Sequence, residues 1–262
     1  MNRFQNIFSQ NRKVAVGYAT AGCPSAESSL EFIRGMVEGG ADIIELGIPF
    51  SDPTADGPVI QQSSQTALRG GFTIDDVFGI ASALRKEYPS LGLVLFSYYN
   101  PILFMGTENF ARRAAGSGVD GVLLVDVPFE ERGEVGPVFG KYGLEIIPLV
   151  SPATDPVRMA KITAGCRSFV YYITVRGVTG VRSSMPEDLR KKLTELRAVS
   201  PAPVAAGFGI SSPETARAAA EHADGIVIGS AFVKIQLEEG LTDAERRAKA
   251  KELACRCFGA VR

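Results

Sequence analysis

The sequence is poor in the residues from which many catalytic centres are built. It has one histidine and no tryptophan among 262 residues, and its four cysteines form no CxxC pair. With His222 alone, a metal site of several histidines is excluded, and a Ser-His-Asp triad would depend on this one residue. His222 lies in the alanine-rich stretch AAAEHADG, where we expect an exposed position near a helix end. Unpaired cysteines in a chain of this length predict reduced thiols and a cytoplasmic protein.

An excess of charge and long apolar runs are also missing. The 28 basic and 29 acidic residues leave a formal net charge of −1, whereas a nucleic-acid-binding surface is basic and one-sided. No apolar run is long enough to cross a bilayer. The first residues, MNRFQNIFSQNRK, are too polar for the core of a signal peptide. We therefore expect a globular protein that binds neither nucleic acid nor membrane.

What the sequence does contain is a regular alternation of strand-like and helix-like segments. Among the helical patterns, Leu189, Leu193 and Leu196 recur at helical spacing, and Ser212 and Thr242 are placed to cap helix starts. Helical patterns separate eight apolar, β-branched or aromatic runs at 14–20, 42–48, 93–100, 121–128, 145–150, 168–174, 203–209 and 225–230.

This alternation predicts the fold class. Eight strands alternating with helices in a chain of this length indicate an α/β protein built as a single (β/α)8 TIM barrel. An open doubly wound sheet is the main alternative, but the turn after the first run, YATAGCPS, lacks the GxGxxG of that fold. The segment NRFQNIFSQN predicts an extra N-terminal helix over the bottom of the barrel. No linker divides the chain, so we expect residues 1–262 to form one domain.

The stretch ELGIPFSDPTADGP at 45–58 carries two carboxylates. Strand alternation puts Glu45 on the face opposite Ile44 and Leu46. The strands contain no lysine or arginine to pair with it, so burial should raise its pKa and make it a usable general acid or base. A structural carboxylate bound to backbone N–H groups or water is the alternative. Asp56, on a proline-flanked loop, would by itself more often be a turn residue.

Active sites of TIM barrels lie at the carboxyl ends of the strands. Small-residue turns follow the last three predicted strands there: GVTG at 177–180, GFGI at 207–210 and GSAF at 229–232. Backbone N–H groups in such turns can bind an anion, so the turns predict a phosphate site. The tight geometry of a barrel would also explain the glycines. The absence of lysine from the strands argues against a Schiff-base aldolase. We find no ligand set for a catalytic metal, and an all-oxygen magnesium site stays open.

The stretch ELGIPFSDPTADGP resembles the signature of the tryptophan synthase alpha subunit family. YATAGCPS, YYNPI, DVPFEE, GVTG, GFGISSPE and GSAFVKI follow the family's order over nearly the whole chain. The resemblance implies a lyase that cleaves indole-3-glycerol phosphate to indole and glyceraldehyde 3-phosphate by a retro-aldol reaction. It implies no cofactor in this subunit, because the indolenine tautomer of the substrate serves as the electron sink.

The resemblance also implies roles for single residues. Glu45 would protonate indole C3 and assist removal of the side-chain hydroxyl proton, and Asp56 would stabilise the charge at the ring nitrogen and take its proton. Asp126 would be structural or orienting, and Cys23, where the family often has Asp or Tyr, would be a buried inert thiol. The expected substrate-binding residues are Tyr98, Tyr171, Thr179, Gly180, Phe208, Gly209, Gly229 and Ser230. Phe96 and Leu123 also match positions of the indole pocket. These two, like Tyr98 and Phe208, could equally fill the barrel, and we favour the pocket role only for Tyr98 and Phe208.

Finally, the resemblance implies a partner, a pyridoxal-phosphate-dependent beta subunit bound as α2β2. The residues support this independently, because the apolar run NPILFMG at 100–106 predicts a loop that is either tucked into the core or covered by another protein. The loop with Asp56 would be the second contact. Two other interpretations stay open: a different phosphate-binding barrel enzyme, and a non-catalytic alpha-like subunit that only activates a beta subunit.

Overall fold

The computed structural model describes residues 1–173, 187–207 and 209–262, without the side chain of Asp188. In this part of the chain, one curled sheet contains nine strand segments in the order β5-β4-β3-β2-β1-β9-β8-β7-β6, and every neighbouring pair is parallel. The segments are β1 Val14–Thr20, β2 Ile43–Gly47, β3 Gly92–Ser97, β4 Gly121–Leu124, β5 Glu145–Ile146, β6 Leu149–Val150, β7 Val170–Ile173, β8 Val204–Gly207 and β9 Gly225–Ile228.

Helices connect these strands. The predicted caps are present: the side chain of Ser212 accepts a hydrogen bond from the backbone of Thr215, and that of Thr242 accepts one from Glu245. No helix within the described ranges is long and apolar enough to span a membrane. The α-helices are α1 Arg3–Phe8, α2 Ala26–Glu38, α3 Pro58–Arg69, α4 Ile74–Glu87, α5 Tyr99–Met105, α6 Thr107–Gly116, α7 Arg132–Lys141, α8 Pro156–Thr163, α9 Glu187–Val199, α10 Pro213–Ala220, α11 Ser230–Gln236 and α12 Asp243–Phe258.

Three predicted strands differ clearly from the structure. The run 121–128 is a strand only as far as Leu124. The run 145–150 forms two short segments, β5 and β6, because Ile147 and Pro148 interrupt it and Pro148 has no N–H to donate to a sheet. The run 93–100 is a strand only as far as Ser97, and helix α5 begins at Tyr99. Pro101 falls in the first turn of that helix, where the missing N–H costs no helical hydrogen bond.

Residues 100–105 of the run 100–106 are therefore helical, and the prediction of a loop there is wrong. The helical repeat divides its apolar side chains between two environments. Ile102 is fully buried, whereas Leu103 is 58% exposed and Phe104 is 94% exposed. One part of the run is thus tucked into the core and another part is presented to solvent, so each of the two predicted alternatives holds for part of the segment.

Alternation along the strands separates an outer and an inner core. Ile44 and Leu46 point outward beneath the helices. Ile43 points inward, and Glu45, two residues further on, shares its face. Leu123 is fully buried in the inner core. We define the inner core as Phe4, Ile7, Val14, Val16, Ile43, Val94, Leu123, Ile147, Phe169, Ala205 and Val227.

Candidate active site

Glu45 lies on the inner side of β2 and is completely buried. Neither carboxyl oxygen has a hydrogen-bond partner among the residues that the structure describes. Burial penalises the charged form and raises the pKa of Glu45 to about 8. At neutral pH the group is therefore mostly protonated and able to donate a proton, as the apolar run around it predicts.

Asp56 lies on the loop between β2 and α3, and only 7% of it is exposed. The Tyr98 hydroxyl donates a hydrogen bond to Asp56 Oδ2 at 3.1 Å and accepts one from the backbone N–H of Ala55 at 2.8 Å. Burial and then the charge of Asp56 raise the pKa of the Tyr98 phenol, which keeps it a donor. Asp56 is thus a buried residue held by Tyr98 and not an exposed turn residue.

Tyr171 extends from β7 toward the same chamber. Burial is the main cause that raises the pKa of its phenol, and the charges of Glu45 and Asp56 add to the effect. Its ring lies against Gly207, where an added Cβ would be 2.6 Å from the Tyr171 hydroxyl. Glu45, Asp56, Tyr98 and Tyr171 therefore meet at the carboxyl ends of the strands.

Tyr18 belongs to the same chamber, although no sequence pattern predicts a role for it. It is the direct neighbour of Glu45 in the pairing of β1 with β2, and its ring packs edge-on against Phe96 with centroids 5.2 Å apart. Burial and then the charge of Asp56 raise the pKa of its phenol. Alternation from Val14 and Val16 would have placed Tyr18 on the inner face, but only the strand register brings it beside Glu45.

Three of the expected phosphate-site residues fall within the described ranges. Gly209 has a positive φ of +50°, and no atom lies within 4 Å of where its Cβ would be. Gly229 precedes α11, and its carbonyl accepts from the N–H groups of Phe232 and Val233. The N–H groups of Ser230 and Ala231 therefore come before the first N–H group of α11 that bonds to a helix carbonyl, as is usual for the first residues of a helix. Thr179, Gly180 and Phe208 lie outside the described residues.

The contacts and burial of Asp126, Cys23 and His222 indicate structural roles and not catalytic ones. Asp126 accepts a hydrogen bond from the backbone N–H of Tyr99 at 2.9 Å, so it orients the start of α5. Cys23 is fully buried, and burial raises its pKa to about 12, as expected for an inert thiol. His222, beyond the end of α10, is partly exposed beside Glu221. Within the described ranges, no group of three or more His, Cys, Asp or Glu side chains is placed to hold a metal ion.

A cavity of about 330 Å³ lies at the ends of β4, β6 and β7. Val125, Leu149 and Ile173 give part of its wall an apolar character, whereas Asp126, Arg132 and Arg158 make another part charged. A parallel α/β sheet with two buried carboxyl groups at the carboxyl ends of its strands defines a barrel-like α/β enzyme of the acid–base type.

Comparison with known proteins gives the family. The sequence profile described as tryptophan synthase alpha chain matches residues 4–261. The tryptophan synthase alpha chain of Zymomonas mobilis is 41% identical over 249 residues, which are 94% of this chain and 90% of that protein. The chain belongs to the tryptophan synthase alpha chain family.

Solved structures agree with this assignment. Tryptophan synthase subunit alpha from Legionella pneumophila has a TM-score of 0.90 at 34% identity, over 100% of this chain and 98% of that chain. A chain of the tryptophan synthase α2β2 complex from Pyrococcus furiosus has a TM-score of 0.87 at 36% identity, over 95% of this chain and 99% of that chain.

Proposed function

We propose that this chain cleaves indole-3-glycerol phosphate to indole and glyceraldehyde 3-phosphate, the reaction of the family to which it belongs. The observation that carries the proposal is the buried carboxyl of Glu45, whose pKa of about 8 keeps it protonated at neutral pH. A retro-aldol reaction that uses the indole ring as electron sink needs such an acid at its first step.

The two carboxylates divide the proton transfers. Glu45 donates its proton to indole C3, and Asp56 takes the proton from the ring nitrogen as the indolenine forms. The Glu45 carboxylate then accepts the proton of the side-chain hydroxyl as the bond between C3 and the glycerol carbon breaks. The electron pair of that bond returns to the ring, and Asp56 gives its proton back to the nitrogen. Both carboxylates end in the protonation states in which they began.

The surroundings of the carboxylates suit the two halves of this substrate. Val125 and Leu149 pack against the inner core and offer the indole ring an apolar surface, and Tyr98 and Tyr171 border the reacting groups. For the phosphate we propose the backbone N–H groups around Gly209, Gly229 and Ser230. Thr179, Gly180 and Phe208 join these sites on the resemblance alone.

We further propose that the sheet closes into a (β/α)8 barrel and that residues 1–262 form one domain. Segments β5 and β6 stand at opposite ends of the sheet order but are only two residues apart in the chain. Ile147 N–H donates to Val122 on one side, and Pro148 O accepts from Tyr171 on the other, so one interrupted strand would bridge both edges. Helix α1, whose Phe4 packs on Phe169 of the inner core, would cover the bottom.

A beta subunit is the proposed partner, in an α2β2 assembly like that of Pyrococcus furiosus. Helix α5 offers exposed Leu103 and Phe104, and its first backbone N–H is tied to Asp126. We propose that α5 and the Asp56 loop form the contact, that pyridoxal phosphate belongs to the beta subunit, and that this subunit needs no cofactor. Four free cysteines support a cytoplasmic location.

The test is release of indole from indole-3-glycerol phosphate by the purified chain, alone and with a purified tryptophan synthase beta subunit. The chain contains no tryptophan, so indole fluorescence can be followed with little background from this chain. We expect slow release alone and much faster release with the beta subunit. Absence of indole release, together with stimulation of the beta subunit, would instead identify a non-catalytic activator. Retention of both Glu45 and Asp56 disfavours that alternative.

A further inference from the structure

We propose that the hydroxyl groups of Tyr18, Thr20 and Ser63 form a buried link between strand β1 and helix α3. The link positions α3, and with it the Asp56 loop, relative to Glu45 on the neighbouring strand β2. The inference rests on the proposed lyase function and deepens it. It assigns these residues as positioning residues, which act through Asp56 and do not themselves transfer protons.

The link is a chain of hydroxyl contacts between β1 and α3. The Tyr18 hydroxyl lies 3.4 Å from Thr20 Oγ1, Thr20 Oγ1 lies 2.6 Å from Ser63 Oγ, and Ser63 Oγ donates to the backbone oxygen of Ile60 at 2.8 Å. Each hydroxyl has one proton to donate. Because Ser63 uses its proton on Ile60, Thr20 donates to Ser63 and Tyr18 donates to Thr20. The hydrogen bonds of the link are therefore all donated in the same direction, from Tyr18 toward α3.

The position of the Tyr18 side chain depends on Gly47 of the neighbouring strand β2. A Cβ at position 47 would overlap the Tyr18 hydroxyl, so a glycine is needed there for the phenol to lie over β2 while its hydroxyl stays near Thr20. Tyr18 is also the strand neighbour of Glu45 and packs on Phe96. The first member of the link is thereby held next to the proposed acid.

Thr20 is a rigid middle point because Gln236 holds its backbone. The Thr20 N–H donates to Gln236 Oε1 at 3.0 Å, and Gln236 Nε2 donates to the carbonyls of Thr20 at 3.0 Å and Cys23 at 3.1 Å. Thr20 and Gln236 are both fully buried. The side chain of Thr20 therefore offers Ser63 a fixed partner at the carboxyl end of β1.

Helix α3 is also hydrogen-bonded to the loop that carries Asp56. Gln61, two residues before Ser63, donates from Nε2 to the backbone oxygen of Asp56 at 3.0 Å. One turn of α3 thus contacts β1 through Ser63 and the Asp56 loop through Gln61. Loss of the Thr20–Ser63 bond would let this turn shift, and Asp56 would shift with it.

The experiment measures cleavage of indole-3-glycerol phosphate at a saturating concentration of beta subunit, together with the affinity for glycerol 3-phosphate and urea unfolding. For Thr20→Val and Ser63→Ala we expect kcat to fall about five- to tenfold, the effect of one lost hydrogen bond. Affinity for glycerol 3-phosphate should stay unchanged. Thr20→Ser, which keeps the hydroxyl, should retain the wild-type kcat, and the double variant should be no slower than either single variant.

Ser64→Ala is the matched control, because Ser64 is buried on the same helix but lies outside the link. Exchange of the backbone amide hydrogens of residues 54–57 should be faster in Ser63→Ala than in Ser64→Ala, a readout that does not depend on turnover. An inactive wild type would overturn the proposed lyase function and leave this exchange result to decide the link. Unchanged kcat and exchange in Ser63→Ala, or losses that Thr20→Ser does not rescue, would overturn the link itself.

Discussion

Glu45 illustrates at the scale of one residue how burial determines both chemistry and stability. Its pKa is near 4.5 in an exposed chain and about 8 in the folded protein. At a pH between these two values, Glu45 is protonated in the folded state and ionised in the unfolded state. Stability therefore falls as pH rises from about 4.5 to 8 and is level above that, and one pKa unit corresponds to about 1.4 kcal/mol.

Glu45→Gln should abolish this pH dependence, because the amide does not titrate. We expect the variant to gain stability over wild type progressively between pH 5 and 8, by roughly 4 kcal/mol at the upper end, as measured by urea unfolding across this range. Its rate of indole release should fall at least about a hundredfold. Glu134→Gln, at an exposed position, is the control and should parallel wild type. Parallel stability curves for Glu45→Gln and wild type would disprove the raised pKa.

Helix α5 is the informative case at the scale of an element. Its sequence, YNPILFM, combines aromatic and apolar residues with a proline and predicts a strand end followed by a loop. The tertiary contact between Asp126 and the Tyr99 N–H, which is 27 residues away in sequence, instead supports a helix start. The helix buries Ile102 and exposes Leu103 and Phe104, and this division gives α5 an exposed apolar surface.

Phe104→Ser should weaken binding of the beta subunit by about tenfold to a hundredfold, as expected for an aromatic residue at an interface. Titration of the beta subunit against the rate of indole release would measure the change. Release by the isolated chain should stay at the wild-type rate, since Phe104 is 94% exposed and supports no core contact. Val157→Ser alters another exposed apolar residue and should leave the titration unchanged. A wild-type titration for Phe104→Ser would place the contact elsewhere.

At the scale of the whole molecule, aspartates at the amino ends of strands tie neighbouring strands together. Asp42 precedes β2 and accepts from Ala15 N–H on β1, and Asp224 precedes β9 and accepts from Val204 N–H on β8, both at 2.9 Å. Asp120, before β4, accepts from Leu93 N–H at 2.9 Å. Each carboxylate also pairs with an arginine. These bonds lie at the opposite end of the strands from the candidate active site, where they serve stability.

Asp120→Ala should therefore lower the free energy of unfolding by about 3 to 5 kcal/mol, because it leaves Arg85 and the Leu93 N–H without this partner in a largely buried place. Urea unfolding would measure the loss, and indole release per folded molecule should stay at the wild-type rate. The comparison variant is Glu108→Ala, which removes an ion pair with Lys141 in which both side chains are at least 60% exposed. We expect little change there. Equal small losses in both variants would contradict the structural role of Asp120.

The sequence alone determined what depends on neighbouring residues. Alternation and helical spacing are local, so the strand-like runs, the caps at Ser212 and Thr242 and the inward face of Glu45 could all be predicted. The motif order indicated the family, and the profile and relatives confirmed it. The contribution of Thr179, Gly180 and Phe208 stays a prediction.

Only the tertiary structure decided which distant residues meet. Tyr98 reaches Asp56 across 42 residues, Thr20 meets Ser63 across 43, and Tyr18 lies beside Glu45 because β1 and β2 pair in one register. A register shift of one residue would leave the local patterns unchanged and turn every side chain to the other face. The register is selected by burial summed over the whole sheet, which no single segment encodes.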